Sequence, residues 1–283
     1  MRATMTLLGL LFFAQATVRA SSFALSWLPS GRMNFQAFSV RPDRLPEYDN
    51  KRLYKSFILE AYTPLADPAW SVGFLGVQAG RTTALEKVGD YQTANLSIAI
   101  QNWQILILRD IVRGRRGYLV SRAGMGSVLN QFERMNPITI DGVNLSAEAG
   151  LDPEGIARSG VRVQNENFSL PLGANGRLML SKRLFIDGLL THAFLMDISD
   201  VLEGSSPFSG WSSMMRLAMG MRLGRAWEVF GGYLSYVNHM AAPTGQQGLR
   251  LRAGATAPEG IYVLWQENEV RIDAALVGVG FYF

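Results

Sequence analysis

The chain has 283 residues, of which 48% are hydrophobic and only 18% charged, with 29 glycines and no cysteine. Such a length fits one barrel or sandwich as readily as two smaller domains, and the absence of cysteine excludes disulfide frameworks, thiolate metal sites and cysteine nucleophiles. A mean hydropathy of +0.09 is too apolar for a disordered chain and too polar for a multi-span helical membrane protein.

Residues 1–20 read as a signal peptide. Arg2 supplies the positive start, Met5 to Phe13 the apolar segment, and Val18-Arg19-Ala20 the small-residue cleavage site. The apolar segment is shorter than the ~20 residues an anchor helix needs. Cleavage after Ala20 leaves a mature domain of residues 21–283. It also removes two arginines, taking 27 basic residues to 25 against 23 acidic ones. That balance argues against nucleic-acid binding.

Two uncharged stretches, Tyr91 to Leu108 and Val229 to Leu249, are too rich in Gln, Asn, Gly and Pro to be transmembrane helices. They alternate instead. Ala94, Leu96, Ile98 and Ile100 fall on one parity and Asn95, Ser97 and Gln101 on the other. In Ser212 to Leu223, Met215, Leu217, Met219 and Met221 share one face while Ser212, Arg216, Ala218, Gly220 and Arg222 share the other. A strand this long suits the roughly 9 to 11 tilted residues that cross a bilayer, plus a rim. A soluble sandwich would carry more outward lysine than Lys51, Lys55, Lys87 and Lys182.

The pattern predicts strands at Met33–Val40, Arg52–Thr63, Trp70–Gly80, Thr93–Arg109, Gly117–Leu129, Pro137–Leu145, Gly160–Pro171, Gly176–Ser181, Leu184–Met196, Gly210–Leu223, Trp227–His239, Leu249–Ala255, Ile261–Gln266 and Glu269–Phe283. That is fourteen. Twelve is the alternative, because Gln164 to Asn167 breaks phase and Pro137–Leu145 is weak. Ala147 to Arg158 also reads as a short loop helix, and Asn102 to Val112 has a weak amphipathic helical pattern. Tight turns are expected at Pro64–Pro68, Arg113–Arg116, Ser181–Arg183, Gly224–Ala226 and Ala257–Gly260. Longer connections are expected at Arg41–Lys51, Arg81–Gln92, Ser146–Ser159, Ser199–Gly210 and Ala241–Gly248.

The chain ends with Ala275, Val277, Val279, Phe281 and Phe283 on one parity, and Gly278 and Gly280 on the other. This terminal strand resembles the carboxy-terminal signature of outer-membrane β-barrel proteins of Gram-negative bacteria. The resemblance implies an all-β, antiparallel, up-and-down transmembrane barrel of about 12 to 14 strands in the outer membrane, with both termini periplasmic. It also implies that Phe281 and Phe283 act as an assembly signal read by the outer-membrane assembly machinery. The partners it implies are outer-membrane lipid and lipopolysaccharide.

No catalytic residue, cofactor or metal is assigned. His192 shares its parity with Leu184, Ile186, Leu190 and Phe194, and so should face lipid. His239, near Ser235 and Tyr236, has no triad spacing. An outer-membrane lipid hydrolase using His239 is therefore the weakest reading. Arg216, Arg222, Arg250 and Arg252 fall on the polar parity and are candidate lumen residues, with Arg122, Arg162, Glu60 and Asp187 beside them. Two readings follow. The arginines could line a narrow passive channel for small polar or anionic solutes. Alternatively they form a salt-bridged plug with Glu60, Asp187 and Glu228. The basic run Arg109, Arg113, Arg115 and Arg116 lies at a turn, where Arg113, Arg115 and Arg116 could contact a periplasmic or envelope protein. That suits a rival function, a non-conducting barrel anchoring a trans-envelope assembly.

Overall fold

The computed structural model describes residues 21–39, 47–48, 51–53, 56–88, 91–135, 139–140, 143–144, 161–197, 209–241 and 265–283. Ten long strands form the wall. They are β1 (Ser22–Ser39), β2 (Phe57–Pro64), β3 (Trp70–Val88), β4 (Tyr91–Gly114), β5 (Gly117–Met135), β6 (Val161–Met179), β7 (Leu184–Asp197), β8 (Ser209–Leu223), β9 (Trp227–Ala241) and β10 (Trp265–Tyr282). Each pairs antiparallel with the next, and β10 pairs back onto β1 from Ser22↔Tyr282 to Ser39↔Trp265. The sheet is closed, so its long strands leave no open edge. The two-residue pieces Glu47–Tyr48 and Lys51–Arg52 add to β3 and β1, and Thr139–Ile140 pairs with Val143–Asn144 in a separate small sheet.

The barrel therefore has ten strands where the sequence suggested twelve to fourteen. Of Gly160–Pro171 and Gly176–Ser181, residues 161–171 and 176–179 fall on one strand, β6, and Trp265 and Gln266, the described residues of Ile261–Gln266, lie in β10 with residues 269–282 of Glu269–Phe283. Of Pro137–Leu145 the described residues, Thr139–Ile140 and Val143–Asn144, pair with each other outside the wall, and Leu249–Ala255 lies outside the described residues. The physical reason is strand length. β4 runs for 24 residues and β3, β5 and β6 for 19 each. These exceed the ~9 to 11 residues that cross a bilayer, so the strands run on past that depth at the loop end. β1 begins at Ser22, well before Met33, because a register shift between Trp27 and Ser30 absorbs Pro29 inside the strand. Arg81–Gln92 is not a long loop, since β3 and β4 stay paired as far as Val88↔Tyr91. Asn102 to Val112 is strand throughout.

The connections β2–β3, β4–β5, β6–β7 and β8–β9 are tight turns at one end, where Gly224 adopts φ +84°. Both ends of the described chain meet at this turn end, where the Phe283 amide donates to the Ser21 carbonyl at 3.0 Å. The Ala257–Gly260 turn and residues 1–20 lie outside the described residues.

Alternation fixes the two surfaces. Ile107, Leu172, Leu190, Leu217, Met219 and Val277 are all more than half exposed on the outer wall, while their chain neighbours Leu106, Leu108, Leu189, Thr191, Ala218 and Leu276 are buried inside. An outer wall of exposed Leu, Ile, Met and Val around successive strands is a lipid-facing surface. Among the described residues no helix is long and apolar enough to cross a membrane. Trp227 packs on Phe281 with ring centroids 4.7 Å apart, and Phe281 stacks on Phe283 at 5.7 Å, giving this rim an aromatic edge.

Candidate functional site

The interior is crossed at several levels by polar side chains. Nearest the turn end, Arg216 of β8 reaches Glu60 of β2, although β9, β10 and β1 separate those strands along the wall. Its other terminal nitrogen donates to Asp187 Oδ1 at 2.6 Å. Asp187 in turn accepts from Arg177 Nε at 3.2 Å. The Arg177 guanidinium then grips Glu228 with two bonds of 2.7 and 2.9 Å, a bidentate geometry that fixes both groups. Tyr282 donates to Glu228 at 2.8 Å and Tyr62 donates to Glu60 at 2.9 Å. Glycines on β10 make room for this layer. A Cβ on Gly280 would meet Glu228 Cγ at 2.7 Å, and one on Gly278 would meet the Phe230 ring at 2.4 Å.

Deeper in, Asn102 Nδ2 of β4 donates to Tyr236 Oη of β9 at 3.4 Å, directly across the barrel, and Gln104 donates to Asn102 at 3.2 Å. Toward the loop end, Asn238 of β9 donates to Asn130 of β5 at 2.8 Å, and Asn130 donates to Met240 Sδ at 3.5 Å. Around these polar contacts the interior is apolar, with Val77, Ile100, Leu234, Val270 and Ile272 each fully buried. Ten strands enclose little more than side chains can fill.

Charge balances within the layer. Arg122, Arg177 and Arg216 face Glu60, Asp187 and Glu228, all buried or nearly so. Arg122 is only 2% exposed, and its three guanidinium nitrogens have no partner among the described residues. Its register partner on β6 is Gly173, which offers no side chain. Outside the layer a cavity of about 740 Å³ opens at the turn end, floored by Glu60, Arg177 and Arg216, with Arg113 and Arg222 at its mouth.

The candidate residues separate accordingly. Arg216 lies inside, with both terminal guanidinium nitrogens engaged by carboxylates. Arg222 is exposed at the cavity mouth, 5.9 Å from the Tyr282 ring. Arg250, Arg252 and the side chain of Arg162 lie outside the described residues. Arg113, Arg115 and Arg116 are exposed at the β4–β5 tip. There Arg113 folds back onto Asp110 at 2.9 Å and over Tyr118 at 5.7 Å. The layer also contains Arg177 and Tyr282, which the sequence reading left out. Arg177 sits on the inward parity of β6, and reading β6 as one strand would have placed it opposite Asp187.

His192 faces outward, and its Nδ1 lies 2.7 Å from Ser213 Oγ. Trp211 stacks between His192 and His239 at 5.8 and 5.6 Å. No third group among the described residues bonds the other ring nitrogen of His192, so the pair lacks the orienting partner of a hydrolytic triad. His239 Nδ1 approaches Glu269 at 3.8 Å. No group of three or more His, Asp or Glu among the described residues could hold a metal.

No protein-family model matches this chain, and no curated protein matches it. Solved structures do. The outer membrane protein OprG of Pseudomonas aeruginosa is 10% identical, covering 93% of each chain with a TM-score of 0.34. The toluene transporter TbuX of Ralstonia pickettii is 9% identical over 94% of this chain and 90% of its own, with a TM-score of 0.37. The translocator domain of the autotransporter NalP of Neisseria meningitidis is 12% identical over 100% of this chain and 97% of its own, with a TM-score of 0.39. These are Gram-negative outer-membrane β-barrels, the superfamily whose terminal signature the chain resembles. Likeness of this order says nothing about function. The barrel class of this chain rests on its own closed strand pairing and apolar outer wall.

Proposed function

We propose that this chain is an outer-membrane β-barrel of a Gram-negative bacterium, with its turn end and both termini in the periplasm. Within that setting it acts as a closed, non-conducting barrel that anchors an envelope assembly. The observation that carries the closed reading is the Arg216 bridge from β8 to Glu60 on β2, backed by the Asn102–Tyr236 and Asn130–Asn238 bonds further in. A pore selective for anions presents free cations to the solute. Here Arg177 and Arg216 are ion-paired to Asp187, Glu228 and Glu60, and Arg122, whose guanidinium has no partner among the described residues, is only 2% exposed. The exposed Arg113, Arg115 and Arg116 tip offers the contact for an envelope protein. The lipid-facing wall is solvated by outer-membrane lipid and lipopolysaccharide, and no step of this role requires a catalytic residue or cofactor.

The turn-end cavity favours a second reading, a narrow passive channel whose vestibule it would be. Planar-bilayer recording of the refolded mature chain separates the two. We expect no steady pore current from protein whose heat-modifiable migration shows a folded barrel. Reproducible ohmic conductance with anion preference would overturn the closed reading in favour of the channel. For the anchoring role, stoichiometric envelope partners should be recovered from detergent extracts. Recovery should be lost in Arg113→Ala/Arg115→Ala/Arg116→Ala.

A further inference from the structure

The β6–β7 and β8–β9 turns are neighbours on the rim, tied by the Arg222 amide donating to the Arg183 carbonyl at 2.9 Å. Between them they present Lys182, Arg183, Arg222 and Arg225, all exposed. The two turns, Leu180 to Leu184 and Arg222 to Trp227, contain no acidic residue. No side chain of the four makes an ion pair among the described residues, and the nearest carboxylate in sequence, Glu228, is taken by Arg177 and Tyr282. Arg222 stands over the Tyr282 ring at the cavity mouth, which leaves Lys182, Arg183 and Arg225 as unneutralised rim cations outside the cavity, costly to keep together unless something anionic meets them.

Their depth says what does. Leu180, Leu184, Leu223 and Trp227 are exposed apolar residues of the outer wall, and the cations lie within one to three residues of them. At about 3.3 Å per residue, this places the guanidinium and ammonium groups within roughly 10 Å of the hydrocarbon edge, the depth of phospholipid phosphates. Trp227 marks the same interface. The turns are held for this task. The Ser181 hydroxyl accepts the amides of Arg183 and Leu184 at 3.2 and 3.0 Å, and Gly224 supplies the left-handed residue that closes the other turn.

We infer that Lys182, Arg183 and Arg225 form a binding surface for the phosphodiester headgroup of anionic phospholipid in the leaflet at the turn end. This inference rests on the membrane-barrel reading, and places that leaflet on the periplasmic side. The Arg113 tip is a different surface, since its arginines flank a hairpin that runs on to Gly114 past the β3 pairing at Trp70↔Arg109.

The test uses the refolded mature chain in mixed micelles holding equal phosphatidylglycerol and phosphatidylcholine, with bound lipid counted by native mass spectrometry. The wild type should retain phosphatidylglycerol preferentially. Each cation near an anionic surface is worth about fivefold in partition, so Lys182→Ala/Arg183→Ala/Arg225→Ala should lower that preference on the order of a hundredfold. Arg183→Lys/Arg225→Lys should keep most of it. Should the threefold variant not fold, Lys182→Ala and Arg225→Ala make the same comparison singly, at about fivefold each. Equal retention of the two lipids by the wild type, or an unchanged preference in the alanine variants, would overturn the inference. So would displacement of the lipid by millimolar inorganic phosphate, or binding of an acidic peptide without lipid preference. A wild type that shows no heat-modifiable migration and does not enter vesicles would instead remove the barrel reading beneath it.

Discussion

Arg216→Met is expected to cost the folded barrel about 3 to 5 kcal/mol, the usual consequence of removing one member of a buried ion pair. The variant leaves Glu60 with only the Tyr62 hydroxyl at hydrogen-bond distance, and Asp187 with only Arg177. It also turns a balanced layer of three arginines and three carboxylates into one with excess negative charge. Most of that cost comes from the orphaned carboxylates, because buried ion pairs gain little net energy over well-packed apolar groups. Glu60→Gln/Arg216→Met removes a charge of each sign and should therefore recover more than half of the loss. Urea unfolding in detergent, followed by tryptophan emission, measures both variants. A double variant less stable than Arg216→Met alone would show that Glu60 is held by something other than this charge balance.

The sequence made the turn end legible. Pro64–Pro68, Arg113–Arg116, Ser181–Arg183 and Gly224–Ala226 are turns because proline, glycine and clustered charge break the alternation abruptly. The opposite end was misread for the same reason that the turns were not. Gln164 to Asn167, where the alternation breaks phase, suggested a strand break, and Glu267–Asn268 fell between two predicted strands, yet β6 and β10 continue straight through them. Alternation is imposed only where one face meets lipid, and beyond that depth a strand can be polar on both sides without leaving the sheet. Sidedness was also hidden. Ile98 and Ile100 form an apolar parity in β4, but they face the lumen, buried beside inward-facing Asn102 and Gln104. Parity alone separates the faces without saying which is outside. What the sequence did offer for the site was composition on the inward parity. Glu60, Asp187 and Glu228 were matched with arginines, but their connections needed the ring order. Only closure of β10 onto β1 brings β2 within reach of β8.

Deleting Phe283 should leave the protein synthesised and exported but reduce its membrane insertion several-fold. The residue has two separable contributions. As structure, its amide bonds the Ser21 carbonyl across the β1–β10 seam and its ring stacks on Phe281, which packs on Trp227. The ring is 43% exposed, so its burial is partial and the loss should stay near or below the roughly 1.5 to 3 kcal/mol of a fully buried large side chain. Sixteen further register pairs hold the same seam from Ser22↔Tyr282 to Ser39↔Trp265, and a defect of that size should not by itself prevent closure. A large insertion defect therefore points to recognition during assembly. Phe283→Ala keeps the backbone bond to Ser21 and removes only the ring, so it isolates the part an assembly factor would read. The measurement is heat-modifiable migration of membrane fractions from cells expressing each variant, beside unassisted refolding of the same proteins into vesicles. The expected result is loss in cells with near-normal refolding in vitro. Equal loss in both settings would assign Phe283 to the seam, and normal insertion in cells would remove its role as a signal.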